Sequence, residues 1–68
     1  MQASVHPPSD PTVRGAVERL TAEFAGRFPH DLVDHVVRGS RRDLDAVPAA
    51  ALPEMVERLA RQRLIDDL

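Results

Sequence analysis

The apolar residues between positions 32 and 47 recur at the spacing of an α-helix. At about 100° per residue they fall within one arc of about 140°, which is typical of a helix with a wide buried face. One segment before this stretch and one after it carry narrower apolar stripes with the same period. The pattern predicts an all-α fold, a small three-helix bundle with the second helix at its centre. The arc of the second helix consists of Leu32, Val33, Val36, Val37, Leu44 and Val47.

Proline, glycine and capping residues set the boundaries of the predicted helices. The first helix is expected from Pro11 to Ala25, with Asp10 as its N-cap, because a carboxylate there accepts hydrogen bonds from free backbone N–H groups. The second helix is expected from His30 to Ala46, and the third contains Pro53 in its first turn. Residues 1–9 are rich in proline and are predicted to form a disordered tail, which leaves 10–68 as the bundle.

The composition predicts a core that needs support from another chain. The sequence has 68 residues and no cysteine, so neither disulfides nor thiolate metal sites can stabilise it. Chains of this length bury only about 60% of their unfolded surface. Phe24 and Phe28 are the only aromatic residues, and the core must therefore consist mainly of leucine, valine and alanine. Oligomerisation is one of the usual means of stabilising such small domains.

Charge and hydropathy narrow the classes of partner. The formal net charge is −2, whereas nucleic acids and acidic membrane surfaces favour a basic partner. No run approaches the roughly 18 apolar residues of a membrane span. The N-terminal sequence has neither the basic nor the apolar region of a signal peptide, so a cytoplasmic protein is expected.

Four polar residues at the start of the second helix are the candidates for metal binding or acid–base chemistry. His30, Asp31, Asp34 and His35 form two i,i+4 pairs, and one such pair can hold a divalent ion. Two or three ligands do not close a site, and no nucleophile accompanies them. The cluster is therefore interpreted as a solvated helix start, and neither an enzyme activity nor a metal or other cofactor is expected.

An arginine patch on the same helix suggests the alternative function, a small DNA-binding or transcription-regulatory protein. Arg38, Arg41 and Arg42 would contact phosphate, but the neighbouring aspartates favour a salt-bridged face. A helix-turn-helix protein would use the third helix for recognition, where Glu54 and Glu57 would repel phosphate.

The wide arc of the second helix favours a non-catalytic protein–protein interaction module, most simply a homodimer. The other two helices of so short a chain are expected to cover only part of the arc, and the remainder would meet a second copy. Ser40 lies at the centre of the arc, where its hydroxyl can bond back to the Val36 carbonyl or allow a close backbone contact. The candidate interface comprises Val33, Val36, Val37, Ser40, Leu44, Ile65 and Leu68.

Two sequence runs are similar to a known family. VERLTAEFAGRFPHDLVDHVVRGS, followed by ALPEMVERLARQRL, resembles a small three-helix module of actinobacterial proteins, which precedes arsenate-reductase or low-molecular-weight tyrosine-phosphatase-like domains and also stands alone. The resemblance covers about Val13 to Leu64 and implies a dimerisation module, with itself or such an enzyme as its partner. Pro29-His30 departs from the Ser-Pro cap expected of the family. The phosphatase-like enzymes use a catalytic cysteine loop, and this sequence has no cysteine, so the resemblance assigns no catalytic residue to this chain.

Overall fold

The protein, described here by a computed structural model over residues 10–68, consists of three helices. They are α1 (Pro11–Glu23), α2 (His30–Asp43) and α3 (Leu52–Asp66), and the described part of the chain contains no strand. The predicted all-α, three-helix fold is thus confirmed. The expected tail, residues 1–9, lies outside the described residues. Between residues 10 and 68, none of the helices has both the length and the apolar character needed to cross a membrane.

The N-terminus of α1 forms as the sequence predicts. Oδ1 of Asp10 accepts a hydrogen bond from the backbone nitrogen of Thr12 at 2.9 Å. Pro11 takes the first helical position, where its missing N–H leaves no helical hydrogen bond unmade. The second oxygen, Oδ2, accepts from Nε of Arg41 on α2 at 3.1 Å. One carboxylate therefore caps α1 and also links it to the neighbouring helix.

Two of the helices end earlier than the apolar pattern predicts. α1 ends at Glu23 instead of Ala25, and α2 ends at Asp43 instead of Ala46. Beyond each end the backbone continues in turns with i→i−3 hydrogen bonds, which hydrophobic periodicity does not distinguish from one more helical turn. Gly26, in the turn after α1, has φ 82°, a left-handed conformation that glycine adopts at low cost.

The helices run up, down and up. The connections are short, so consecutive helices are antiparallel. Ion pairs across the first and last helices agree with this order, because Arg19 and Glu23 of α1 meet Glu57 and Arg61 of α3 at the same four-residue step. Arg19 and Glu23 also lie at i,i+4 spacing within α1, which favours a pair between them, but in the structure both bond across to α3 instead.

All three helices share one core, since each packs against both others. This differs from a bundle organised around α2 alone. Phe24 and Phe28 meet edge to face at one end of the core, with ring centroids 5.5 Å apart. The buried apolar residues are Val13, Ala16, Val17, Leu20, Phe24, Val33, Val37, Leu52, Val56, Ala60 and Leu64, with Phe28, Val36, Leu44 and Val47 packed against them.

Candidate interaction surface

The centre of the apolar arc on α2 is covered within the single chain. Val33, Val37 and Ser40 are each 0% exposed, because α1 and α3 pack over them. These three residues belong to the core, so they cannot form part of a docking surface while the bundle is intact. This corrects the expectation that the middle of the α2 arc faces a partner.

Ser40 has a role in joining α2 to α3. Its Oγ donates to the carbonyl oxygen of Val36 at 2.8 Å, which is the back-bond that the sequence allows for. The same oxygen accepts from Nη1 of Arg63 at 3.5 Å, the long limit of a hydrogen bond. Nη2 of Arg63 also donates to Oδ2 of Asp43 at 2.6 Å. The only buried polar residue among those described is therefore fully satisfied.

Four members of the predicted interface still have exposed surface. Val36 and Leu44 lie at the margins of the α2 arc and are half-buried against the core. Ile65 and Leu68 are exposed by 43% and 65%, at the end of α3 and just beyond it. Val36 lines a crevice that the ion pair between Arg63 and Asp43 also lines, and this crevice is therefore charged.

An apolar groove lies where the end of α2 meets the outer face of α3. Leu44, Met55 and Leu59 line it, together with Arg58 and Gln62. Met55 is 39% exposed, which makes it the third large apolar side chain at the surface beside Ile65 and Leu68. An apolar groove bordered by polar side chains is the kind of surface at which a partner can dock.

The polar side chains that line this groove, Arg58 and Gln62, form hydrogen bonds to other residues of α3 and not to the opposite wall of the groove. Nη2 of Arg58 donates to Oε2 of Glu54 at 3.3 Å, and Nε2 of Gln62 donates to Oδ1 of Asp66 at 3.0 Å. Their polar ends are thus occupied on the helix itself, while their aliphatic stems extend the apolar lining.

The predicted interface did not include Met55 and Leu59. By helical period Leu59 falls on the core stripe of α3 with Met55 beside it, a placement that predicts packing within the chain. A usable signal was present, because Met55, Leu59 and Gln62 recur at i, i+4 and i+7 on one face of α3. Only the position of α2 shows that this face remains partly open.

The histidine and aspartate cluster at the start of α2 does not converge on a single point. Nδ1 of His30 is 3.9 Å from Oδ1 of Asp31, and Oδ2 of Asp34 accepts from Nε of Arg38 at 2.9 Å. Within residues 10–68, no three histidine or acidic side chains are placed to hold one metal ion. His35 instead lines the crevice beside Val36.

The arginine patch of α2 is largely neutralised by carboxylates. Arg38 pairs with Asp34, and Arg41 pairs with Asp10 at 3.1 Å and with Asp45 at 3.7 Å. The i,i+4 pairs are those that the sequence predicts, whereas the pair with Asp10 crosses to α1.

A second charged network joins α1 to α3. Arg61 donates to both oxygens of Glu23 at 3.0–3.1 Å and to Oε2 of Glu57 at 3.0 Å, and Arg19 reaches Oε1 of Glu57 at 2.6 Å. The hydrogen bond that Arg61 donates to Glu23 is the largest cause that raises the pKa of Arg61, and it outweighs the opposing effect of partial burial. This side of the bundle therefore presents paired charges, not apolar surface.

Comparison with protein-family models, with curated proteins and with solved structures finds no match to this chain.

Proposed function

We propose that this protein is a non-catalytic protein–protein interaction module that forms a homodimer through the groove of Leu44, Met55 and Leu59. The observation that carries the proposal is the apolar lining of that groove, with Met55 39% exposed at the surface of a very small bundle. Covering such surface is favourable by about 25 cal/mol per Å².

A second copy is the simplest occupant of the groove. Most soluble oligomers are closed, symmetric assemblies of one chain, and a twofold interface brings the same surface of both copies together. An apolar surface satisfies that requirement, since it pairs with itself without charge repulsion. The sequence resemblance to a three-helix dimerisation module supports the same assignment.

The test is the solution mass, measured by light scattering after size exclusion over a concentration series. We expect a mass near twice 7.5 kDa that falls on dilution. Met55→Glu replaces an apolar side chain of the groove by a charge that a partner would have to desolvate, and we expect the dimer dissociation constant to rise roughly tenfold or more. Ala22→Glu is the matched control, because Ala22 is exposed on α1 and lies away from the groove.

Circular dichroism on the same samples establishes that each variant keeps its helical fold. A folded wild-type monomer at every concentration would refute homodimerisation and redirect attention to a foreign partner or to DNA. A dimer that survives Met55→Glu and dissociates with Ile65→Glu would place the interface at the end of α3 and refute the groove.

A further inference from the structure

We propose that the crevice between α2 and α3 binds a phosphate group, held by Arg42 and Arg63 over the backbone of Gly39. The ligand is either free phosphate or a small phosphate monoester. The crevice shares no residue with the groove of the proposed interface, so the site does not depend on the dimer. Its lining consists of His35, Val36, Gly39, Arg42, Asp43 and Arg63.

Arg42 is a cation that the ion pairs of the bundle leave unused. Arg38 and Arg41 on the same helix each pair with a carboxylate. Arg42 forms no such pair with any residue between 10 and 68, and its side chain is exposed. A guanidinium group in this state keeps its full set of N–H donors for an anion.

Arg63 is held in place on the α3 side of the crevice. Its Nη2 donates to Oδ2 of Asp43 at 2.6 Å, whereas its Nη1 reaches Oγ of Ser40 only at 3.5 Å. Nη1 therefore keeps a donor for a stronger acceptor. Asp43 is the only carboxylate that lines the crevice, and two guanidinium groups outnumber it.

Gly39 leaves the floor of the crevice open between these two arginines. A Cβ atom at this position would lie 3.8 Å from Nη2 of Arg42 and 3.9 Å from Nη1 of Arg63, so the two nitrogens are less than about 8 Å apart. Charge-assisted hydrogen bonds of about 2.8 Å to two oxygens of one phosphate group bridge a gap of this size. A ring N–H of His35, at the same crevice, is a third donor.

The fold itself gives no reason for a glycine at position 39. Its φ is not positive, unlike that of Gly26. Apart from the helix backbone and the adjoining residues, a Cβ there would approach only the ends of Arg42 and Arg63 within 4 Å. Glycine inside a helix is less stable than alanine, and one use that offsets this loss is the close approach of a ligand to the backbone.

The charge around the crevice distinguishes it from the other crevice that contains an arginine without a partner among the described residues. Arg14 and Arg38 line that one together with the carboxylates of Asp10, Glu18 and Asp34, which would repel an anion. A phosphate monoester carries a charge of about −1.5 to −2 at pH 7 and three acceptor oxygens, so it gains more from two guanidinium groups than a carboxylate does.

Heteronuclear NMR of the full chain, titrated with inorganic phosphate and with O-phosphoserine, tests the site. We expect saturable shifts of the Gly39 amide and of the Arg42 and Arg63 side-chain N–H signals, with a Kd of about 1 mM. Sodium chloride at equal ionic strength should not reproduce them. Tighter binding of O-phosphoserine would identify a monoester as the ligand, and equal binding would identify the free ion.

Three variants separate a built site from general attraction of anions, and circular dichroism establishes that each stays folded. Arg42→Gln should raise the Kd at least about tenfold. Arg27→Gln, the control, changes the net charge equally in the exposed turn after α1 and should leave the Kd unchanged. Gly39→Ala should raise the Kd about fivefold while it stabilises the helix, and a merely structural role would not move affinity and stability in opposite directions.

Four results would overturn the proposal. One is the absence of a saturable shift up to about 20 mM phosphate, well above the expected Kd. Another is equal weakening by Arg42→Gln and Arg27→Gln, which would show attraction to net charge alone. Unchanged binding by Gly39→Ala would remove the open floor from the site. Duplex DNA that shifts the same signals at micromolar concentration would assign the crevice to a nucleic-acid backbone and not to a small phosphate ligand.

Discussion

Asp10 supports two separate contacts, and substitutions can remove them one at a time. Its Oδ1 caps α1 through Thr12, and its Oδ2 binds Arg41 of α2. Asp10→Ala removes both contacts. Asp10→Asn keeps a side-chain oxygen for the cap and removes the charge that pairs with Arg41, since asparagine is as good an N-cap as aspartate.

The structure gives a magnitude for each step. Loss of an N-cap typically lowers the free energy of unfolding by about 1 kcal/mol. The ion pair is partly solvated, with 29% of the Arg41 side chain and 35% of the Asp10 side chain exposed, which limits it to about 0.2–1 kcal/mol. We therefore expect Asp10→Ala to destabilise the bundle by about 1–2 kcal/mol and Asp10→Asn by at most about 1 kcal/mol. Each kcal/mol corresponds to roughly 4–8 °C in Tm for a domain this small.

Urea and thermal unfolding followed by circular dichroism measure both changes at one fixed protein concentration, because the proposed dimerisation would make Tm depend on concentration. The loss in Asp10→Asn should shrink in high salt, while the further loss in Asp10→Ala should not. Arg41→Ala supplies the other single variant of a double-mutant cycle. Equal stability of Asp10→Ala and Asp10→Asn would show that the cap contributes nothing. A change below about 0.3 kcal/mol in both variants would refute the whole argument.

Two further predictions concern the backbone at two glycines. Gly26→Ala should cost about 1–2 kcal/mol of unfolding free energy at φ 82°, although nothing lies within 4 Å of the new Cβ. Gly39 lies inside α2, where the only atoms near a new Cβ are the ends of arginine side chains at 3.8–3.9 Å, so Gly39→Ala should raise the free energy of unfolding by about 0.5–1 kcal/mol. Urea unfolding measures both glycine variants, and a change in stability of the same sign in both would contradict the prediction.

Helix number, the start of α1 and the buried faces follow from local sequence. Asp10-Pro11 fixes where α1 begins, and the 3.6-residue period places Val33 and Val37 inside. Contacts between helices are not encoded locally. Arg19 bonds to Glu57 across 38 positions, although Glu23 lies at a suitable spacing on its own helix. The carboxylate that an arginine pairs with depends on how the helices are arranged in space, and the helical period of the sequence alone does not predict that arrangement.

The burial of three residues of the predicted interface, Val33, Val37 and Ser40, has a related reason. A helix that packs against two neighbours needs a wider apolar arc than a helix that packs against one, and the arc of about 140° on α2 meets that need. The width of the α2 arc predicts uncovered surface if only one neighbour is considered. In the structure α1 and α3 together cover Val33, Val37 and Ser40 completely. Among residues 10–68, the large apolar side chains that remain exposed lie on α3 or just beyond its end.

The distribution of charge explains why that face is the one available for a partner. Each contact between two helices carries an ion pair: Asp10 with Arg41 between α1 and α2, Asp43 with Arg63 between α2 and α3, and Glu23 with Arg61 between α1 and α3. A partner that docked over any of these pairs would have to desolvate charges that are already paired within the chain, at a cost that Coulomb attraction scarcely offsets. The outer face of α3 differs in that its ion pair runs along a single helix and borders a mainly apolar groove. The paired charges between helices therefore disfavour docking at those positions more strongly than at the groove.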